Sequence, residues 1–374
     1  MFWGIICALS ITVLTACQKD GNNNNINNTP SPANTLNTTT TDMADNQTVP
    51  AVDTSPAPQE EAETLTIQDY YPFQNNVVYQ YEGKGNEYAA YNIYTDYIKG
   101  SRIQLRSANG GSESIKVLEI KDGELIKILL KGECYYRENL LNSSEGEGEV
   151  LLKEPLTTGT EWMISGNRRR YISNTDVAIS TPAGDYKALE VTTEGDGDAT
   201  LDYYVRDVGL VKTIFTINGS ISVTSSLSKI EENTLFKQNI RLFYPNADEE
   251  VIYALDKEIS FNTNDITRNK LETAVKEIAQ EKYDPLLSVN TKINSLYLSK
   301  DNVVYVDFSK ELFSEMNAGA AYESMILQCI ANTLGTYYGV NEVYITVEGK
   351  PYESGHISMK KGDTIAVKLD KVKE

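Results

Sequence analysis

The sequence predicts an α+β multidomain protein, in which an all-β antiparallel sheet or open barrel precedes an α/β sandwich of two helices on one sheet. From Tyr70 to about Leu235, apolar residues alternate with polar ones between turns rich in Gly, Asp and Asn, which is the pattern of half-buried antiparallel strands. After Gln238, two segments with helical spacing interrupt the strands, as expected for helices packed on a sheet.

The N-terminal residues 1–16 predict a secretory signal peptide. From Phe2 to Leu14 all thirteen residues are apolar or small, too few to cross the hydrocarbon core as a helix, which takes about 20 residues. The run ends in the motif LTAC at 14–17, which looks like a bacterial lipobox, with Cys17 as the attachment point of a diacylglyceryl group. No Lys or Arg precedes the run, which a start codon placed too far downstream would explain. We expect a lipid anchor at Cys17 on the extracytoplasmic face of the cell membrane, the alternative being an ordinary signal peptide.

Residues 17–66 predict a flexible tether. They are rich in Asn, Thr, Pro and Ala and contain no aromatic residue. They include seven acidic residues and a single basic residue, Lys19. Such a segment cannot bury enough apolar surface to offset the entropy lost on ordering.

Residues 67–236 predict the all-β domain. Segments such as NNVVYQYEG and SIKVLEIKDGELIKILLKG alternate with period two, and no convincing helical period occurs between residues 70 and 230. The motifs KDGE and GDGD are interpreted as hairpin tips.

Residues 237–374 predict the α/β domain. A first helix carries Leu271 to Ala279 at helical spacing, with Asp265 or Thr267 as its N-cap. A hairpin around residues 300–302 follows. A second helix carries Tyr322 to Ile330 on one stripe and ends at a glycine, and EVYITVEG is the last clear strand.

Composition excludes several functions. The net charge of −19 and the pI of about 4.6 argue against nucleic-acid binding, which needs clustered Lys and Arg, and against electrostatic docking on anionic lipid. Cys134 and Cys329 are the thiols that remain after the signal and the lipidation site. Two cysteines make neither a disulfide framework nor a zinc site, which needs about four ligands, so we expect both to be buried.

The single histidine, His356, is the first candidate for catalysis. Asp307 and Ser309 could complete a nucleophile, base and orienting group. We interpret His356 instead as part of a structural turn, because a motif without geometry is only a hypothesis. Paired carboxylates for glycoside hydrolysis stay open, since no particular pair stands out among 53 acidic residues.

Two charged motifs receive structural interpretations. In EGDGDATLD the spacing of acids does not match a calcium loop, so a charged hairpin tip is expected. The arginines at 168–170 could bind a phosphate or an anionic wall polymer, but pairing with nearby acids is the preferred interpretation. No glycine-rich phosphate loop follows a strand. We therefore expect no cofactor and no metal.

Several local motifs of the C-terminal half occur in a recognisable order. VDFS at 306–309 is followed by Gly319, by a helix with Thr333-Leu334, by VYITVEGK at 343–350 and by Gly355-His356. Over residues 239–360 this order resembles the GerM-type (GerMN) domain of sporulation and spore-germination lipoproteins.

The resemblance implies a non-enzymatic envelope lipoprotein that acts by protein–protein assembly in spore formation or germination. Its partners would be envelope proteins of a sporulation or germination complex, with homo-oligomers also open. An alternative of a different class is a glycan- or lipid-binding module that uses the β domain, where a cavity lined by tyrosines and Trp162 would favour it. A wall hydrolase is a third and weaker hypothesis.

For an assembly protein we expect the working surface on the sheet face opposite the helices. Period-two alternation turns Val304, Val306 and Phe308 inward, and on the next strand the outward set includes Tyr344 and Glu348. We therefore assign a candidate interaction site to the following outward residues: Tyr305, Asp307, Tyr344 and Glu348.

If Cys17 carries the anchor, the substitution Cys17→Ser should abolish membrane retention, because the thiol that accepts the diacylglyceryl group is gone. Membrane fractionation together with fatty-acid labelling checks this expectation. A variant that stays with the membrane and still takes up label would contradict it.

Overall fold

Twelve antiparallel strands form one sheet in the first part of the described chain. The structure is a computed structural model that describes residues 64–145, 148–277 and 283–374. Cys17, the predicted signal peptide and nearly all of the predicted tether therefore lie outside the described residues. After a short helix α1 (Ile67–Tyr70), the strands are β1 (Val78–Lys84), β2 (Tyr91–Lys99), β3 (Arg102–Asn109), β4 (Glu113–Lys121), β5 (Glu124–Gly132), β6 (Glu149–Lys153), β7 (Glu161–Ile164), β8 (Arg168–Thr181), β9 (Gly184–Glu194), β10 (Asp198–Val205), β11 (Gly209–Ile217) and β12 (Ser220–Glu231).

The strand order brings the two edges of this sheet together in sequence. Consecutive strands are neighbours, and β1 also pairs with β12, with Val78 opposite Glu231. The edge strands are therefore β6 and β7, which follow one another along the chain. The predicted antiparallel sheet is confirmed, and the sheet curls until it is nearly closed.

Side chains join the two edge strands. The indole Nε1 of Trp162 donates to the carbonyl oxygen of Val150 at 3.0 Å, and Arg170 donates to the same oxygen at 2.6 Å. Arg170 also pairs with Glu149 at 2.9 Å. Trp162 and Arg170 lie opposite each other in the β7–β8 ladder, so they act together as a clasp on β6.

The hairpins of this sheet follow from local turn chemistry. Asp122-Gly123 and Asn218-Gly219 both adopt positive φ, at 52° and 73° and at 49° and 77°. This conformation matches the right-handed twist of the flanking strands, and Gly and Asn or Asp adopt it most easily. The expected hairpin tip at KDGE is therefore confirmed, and GDGD connects β9 to β10 as predicted.

The C-terminal part has helices and two further sheets. Among the described residues, no helix is both long and apolar enough to span a membrane. Its elements are β13 (Phe236–Asn246), β14 (Val251–Phe261), α2 (Thr267–Lys276), β15 (Ile293–Leu298), β16 (Val303–Phe308), α3 (Glu311–Ser314), α4 (Ala320–Tyr338), β17 (Glu342–Val347), β18 (Lys350–Pro351), β19 (Ile365–Ala366) and β20 (Val372–Lys373).

The predicted two main helices are present, but the strands expected in one sheet are divided between two. One sheet has the order β13-β14-β20, and the other has the order β15-β16-β17-β18 with β19 beside β17. Helix α4 explains the division, because its residues from Cys329 to Gly335 are all buried. A helix that is buried on every side packs against more than one layer, whereas a helix with one apolar stripe covers a single sheet. The amide of Phe243 on β13 donates to Thr333 of this helix at 3.0 Å.

A buried charge triad lies where the twelve-stranded sheet meets the C-terminal part. Arg106, Asp96 and Arg137 are at most 1% exposed. The Asp96 carboxylate is 3.2 Å from Arg106 and 3.5 Å from Arg137. Arg106 also pairs with Glu113 at 2.7 Å. Two guanidinium groups therefore share one buried carboxylate.

Arg137 connects the two parts of the chain directly. Its guanidinium donates to the carbonyl oxygens of Asp96 in the first part, at 2.7 Å, and Asn262 in the second, at 3.1 Å. The same group lies over the rings of Tyr97 and Phe261, at 4.1 and 4.9 Å from the centroids. Residues Ala62–Glu374 accordingly form one compact unit.

The substitution Asp96→Ala should lower the free energy of unfolding by about 3–5 kcal/mol, because it leaves two buried guanidinium groups without their shared counter-ion. Denaturant unfolding measures the change. Asp256→Ala is the matched control, since that carboxylate is 3.8 Å from Arg241 and largely exposed, where an ion pair contributes about 0–1 kcal/mol. Equal losses in the two variants would refute the role given to the triad.

Candidate functional site

The outer face of the β15–β16–β17 sheet is the candidate site. Val304, Val306 and Phe308 of β16 are buried, at 0 to 1% exposure, and they pack in the core that α4 shares. Alternate residues therefore point the other way, and Tyr305 and Tyr344 are half-buried on the outer face. The facing inferred from period-two alternation agrees with the structure.

Three tyrosines form a continuous row across this face, which we call the tyrosine row: Tyr297, Tyr305 and Tyr344. Tyr297 lies opposite Tyr305, and Tyr305 lies opposite Tyr344. The first pair stacks with ring centroids 5.3 Å apart and planes at 9°, and the second is edge-to-face at 5.1 Å and 63°. Tyr297 is 46% exposed. The row presents pre-ordered aromatic surface to solvent.

Sequence reasoning missed Tyr297. The hairpin around residues 300–302 had been recognised, and the register counted back from that turn places Tyr297 beside Tyr305. The position of Tyr297 could therefore be found from the sequence. Finding it requires the register between two paired strands, whereas the alternation within one strand is not enough.

Asp307, assigned to the site, uses its carboxylate inside the sheet. Oδ1 accepts hydrogen bonds from the Thr346 hydroxyl and the Gly349 amide, both at 2.7 Å, and Oδ2 accepts one from Asn294 at 3.0 Å. Burial acts to raise the pKa of Asp307, but these hydrogen bonds outweigh it and hold the pKa below its ordinary value. The group fixes the β17–β18 turn beside the tyrosine row.

Glu348, also assigned to the site, is exposed and forms the turn itself. With φ of 49° it precedes Gly349 at 73°, in the hairpin between β17 and β18. Its carboxylate accepts from the Lys310 amide at 3.1 Å, and its own amide donates to Phe308 at 2.9 Å. Of the four assigned residues, Tyr305 and Tyr344 are thus the ones whose side chains are open to a partner, and with Tyr297 they form the tyrosine row.

The residues considered for catalysis each have separate structural contacts. The ring of His356 is exposed, and its amide donates to the Ser354 hydroxyl at 3.1 Å. That hydroxyl and the hydroxyl of Tyr352 both donate to the buried carboxylate of Glu323. Ser309 accepts from the Lys292 amide at 2.9 Å. Ser354 and the backbone amide of His356 hold this turn in place, and the exposed imidazole ring takes no part in these contacts.

The charged motifs are paired within the first sheet. Arg168 contacts Asp198 at 2.7 Å, and Arg169 contacts Glu194 at 3.1 Å. The expected pairing of these arginines with acids is therefore present. Among the described residues, no group of three or more His, Cys, Asp or Glu side chains could hold a metal. Cys134 and Cys329 are buried free thiols, and burial raises the pKa of both.

Asp307→Asn should destabilise the protein at neutral pH by about 1–3 kcal/mol, because a charged acceptor is lost from three hydrogen bonds. The pKa of Asp307 is lowered in the folded state, so its stabilisation is present above the ordinary pKa of about 3.9 and disappears as pH falls through the folded value. In denaturant unfolding, the difference in stability from wild type should therefore narrow as the pH falls below about 4. Asp301→Asn, in the exposed hairpin turn of the same sheet, serves as control. A difference that stays constant with pH would contradict the assignment.

Comparison with known proteins gives matches to the C-terminal part. Residues 241–353 match the family model described as "Germane: Sporulation and spore germination". The curated proteins include no match to this chain. Among solved structures, the tandem GerMN domains of the sporulation protein GerM from Bacillus subtilis match at 18% identity, over 33% of this chain and 45% of that one, with a TM-score of 0.26. This chain thus spans less than half of that structure.

Two further solved structures are similar. The first GerMN domain of the same Bacillus subtilis protein matches at 18% identity, over 33% of this chain and 93% of that one, with a TM-score of 0.26. A protein named as a lipoprotein from Clostridium perfringens matches at 20% identity, over 35% and 87%, with a TM-score of 0.23. On the family match, the GerM-type domain expected from the sequence is confirmed over residues 241–353, which are similar to this sporulation and spore-germination family.

Proposed function

We propose that this protein is a lipid-anchored envelope lipoprotein that acts as an assembly component in spore formation or germination, with the tyrosine row as its contact surface. The main observation is the row itself, in which three tyrosine rings contact one another across three strands, one pair stacked and the other edge-to-face, on the face that the helices leave uncovered. The family match supports the biological setting, and the lipobox at Cys17 supports the location.

The physical case for a contact surface rests on the cost of ordering side chains. Tyrosine is enriched at interface hot spots because a ring buries a large area with two rotatable bonds. Here the cross-strand contacts of Tyr305 on both sides already restrict its ring. Docking of a partner would therefore cost little further side-chain entropy at Tyr305. A larger share of the free energy gained by burying the ring would then contribute to affinity.

The neighbours of the row fit the same role. Asp307 and the turn of Glu348 hold the ends of β16 and β17 in fixed relation through hydrogen bonds to Thr346, Gly349 and Lys310. A rigid support keeps the row in one geometry, which is what an interface of defined register requires.

The alternative, binding of a glycan or lipid in the β domain, has one favourable observation. A cavity inside the twelve-stranded sheet is lined by Tyr71, Tyr79 and Tyr81, next to Lys116. Its volume is about 40 Å³, room for a few water molecules, whereas ligand sites occupy about 300–1,000 Å³. Trp162 is part of the clasp and does not line this cavity. Assembly is therefore the preferred function.

Tyr305→Ala combined with Tyr344→Ala should keep the domain folded and break complex formation. Truncation of a hot-spot tyrosine costs about 2 kcal/mol or more, which is roughly a 30-fold loss of affinity for each residue. Recovery of partners by pull-down from sporulating cells, beside a melting curve, measures both effects. In cells that lack the gene, this variant should also fail to restore heat-resistant, germinating spores.

The matched control is Tyr88→Ala with Tyr135→Ala, which removes two exposed tyrosines of the twelve-stranded sheet and its loops, at 54% and 49% exposure. These substitutions should leave partner recovery and spore counts at the wild-type level. Full partner recovery by the Tyr305 and Tyr344 variant would reject the tyrosine row. A wild-type spore count with normal germination in cells without the gene would reject the sporulation role.

A further inference from the structure

A cleft of about 460 Å³ separates the twelve-stranded sheet from strand β15. Its lining includes Lys99, the last residue of β2, and Leu141. The lining also includes Leu296 of β15, and Ile266 and Arg268 at the beginning of α2. We call this space the junction cleft. It does not include the tyrosine row, so it is separate from the surface proposed above.

Strand β15 is an edge strand whose free side lies at this cleft. The sheet order places β16 on one side of β15 and no strand on the other. The amide of Ser299 donates to Val303 of β16 at 2.9 Å, which fixes the phase of the hydrogen-bond ladder. Backbone groups alternate in direction along a strand. The amide of Tyr297 therefore also points to β16, and the amides of Leu296 and Leu298 point to the free side.

Carboxylates lie near both ends of this free side. The amide of Ile293 donates to Glu272 at 2.8 Å. At the other end, burial raises the pKa of Glu138, and the nearby Leu298 amide opposes that rise. Between them, the described residues supply no partner for the outward amide and carbonyl of Leu296. Unpaired backbone groups on an edge strand are a template for pairing with another extended chain.

The charges around the cleft specify the kind of chain. Within the described part of the protein, neither Lys99 nor Arg268 forms an ion pair, and the buried Nε of Arg268 has no hydrogen-bond partner. Glu138 is the acid that lines the cleft, and the Leu298 amide lies beside its carboxylate. Leu141, Ile266 and Leu296 add apolar side chains to the lining of the same cleft.

We propose that the junction cleft binds an extended, acidic segment of a partner protein, which adds to β15 as a further strand beside Leu296. Main-chain hydrogen bonds to Leu296 would hold the segment, alternate aliphatic side chains would contact Ile266 and Leu141, and its carboxylates would pair with Lys99 and Arg268. Strand addition of this kind takes affinity from the backbone and specificity from alternate side chains. An added segment of five residues would be about 17 Å long in the extended conformation.

The test uses full-length protein in detergent micelles and a fluorescein-labelled peptide, Val-Asp-Val-Asp-Val, blocked at its C-terminus. Fluorescence anisotropy should show saturable binding, and hydrogen exchange at the Leu296 amide should slow about tenfold or more at saturation. Arg268→Gln should weaken binding about tenfold, the effect of losing a charge-assisted hydrogen bond. A Val-Lys-Val-Lys-Val peptide should not bind.

A matched pair of variants isolates the backbone pairing. Leu296→Pro removes the outward N–H, and because Leu296 faces Val306 at a position without ladder hydrogen bonds, the β15–β16 pairing is kept. Leu296→Ala shortens the same side chain but retains the N–H. The proline variant should bind at least about tenfold more weakly than the alanine variant, with both folded by their melting curves.

Three results would overturn the proposal. They are equal binding by the proline and alanine variants, equal binding of the lysine peptide, and an unchanged exchange rate at Leu296 with peptide bound. Absence of peptide binding at millimolar concentration would overturn it as well. None of these results bears on the tyrosine row, whose variants are scored by partner recovery and spore counts.

Discussion

The sharing of Asp96 between Arg106 and Arg137 is the interaction on which the relation of the two parts depends. Three charges removed from water carry a large desolvation cost, and only close pairing with further hydrogen bonds offsets it. Here the additional acceptors are main-chain carbonyls, from Cys134 and Tyr136 for Arg106, and from Asp96 and Asn262 for Arg137. The triad therefore tolerates one geometry, and that geometry fixes the C-terminal part against the sheet.

The same face of β3 organises the irregular segment after β5. Arg102, Gln104 and Arg106 follow one another at alternate positions and hydrogen-bond the backbone between Cys134 and Leu141. These side chains replace a strand partner, since the segment has no ladder of its own in the described structure. Buried backbone groups need such partners, because an unsatisfied carbonyl or amide costs as much as a lost hydrogen bond. The wall that Leu141 contributes to the junction cleft is held by these contacts.

The sequence predicts those features that depend on local signals, namely period-two alternation and positive-φ turns. These features are the strands of the first sheet, the hairpin tip at Asp122-Gly123 and the inward facing of Val304, Val306 and Phe308. The buried charge triad could not be predicted from the sequence. Alternation assigns the polar residues of β2 and β3 to solvent, and the pairing of Asp96 with Arg137 joins residues about forty positions apart in the chain. The division of the C-terminal strands depends on burial of α4 from every side. The hydrogen bonds of Asp307 and Glu348 could not be predicted for a similar reason. Their carboxylates accept from Thr346, Gly349 and Lys310, which the folded chain brings together at the β17–β18 turn.

The clasp of Trp162 and Arg170 has a consequence for how this architecture can change in size. Strands β6 and β7 are joined by side chains and by a short connection, while the chain enters and leaves the sheet through the paired strands β1 and β12. A hairpin inserted between β6 and β7 would thus add two strands without moving the point where the C-terminal part attaches. Since the diameter of a closed sheet grows with its strand number, such an insertion would widen an interior that now has room for a few waters into one that accommodates a larger guest.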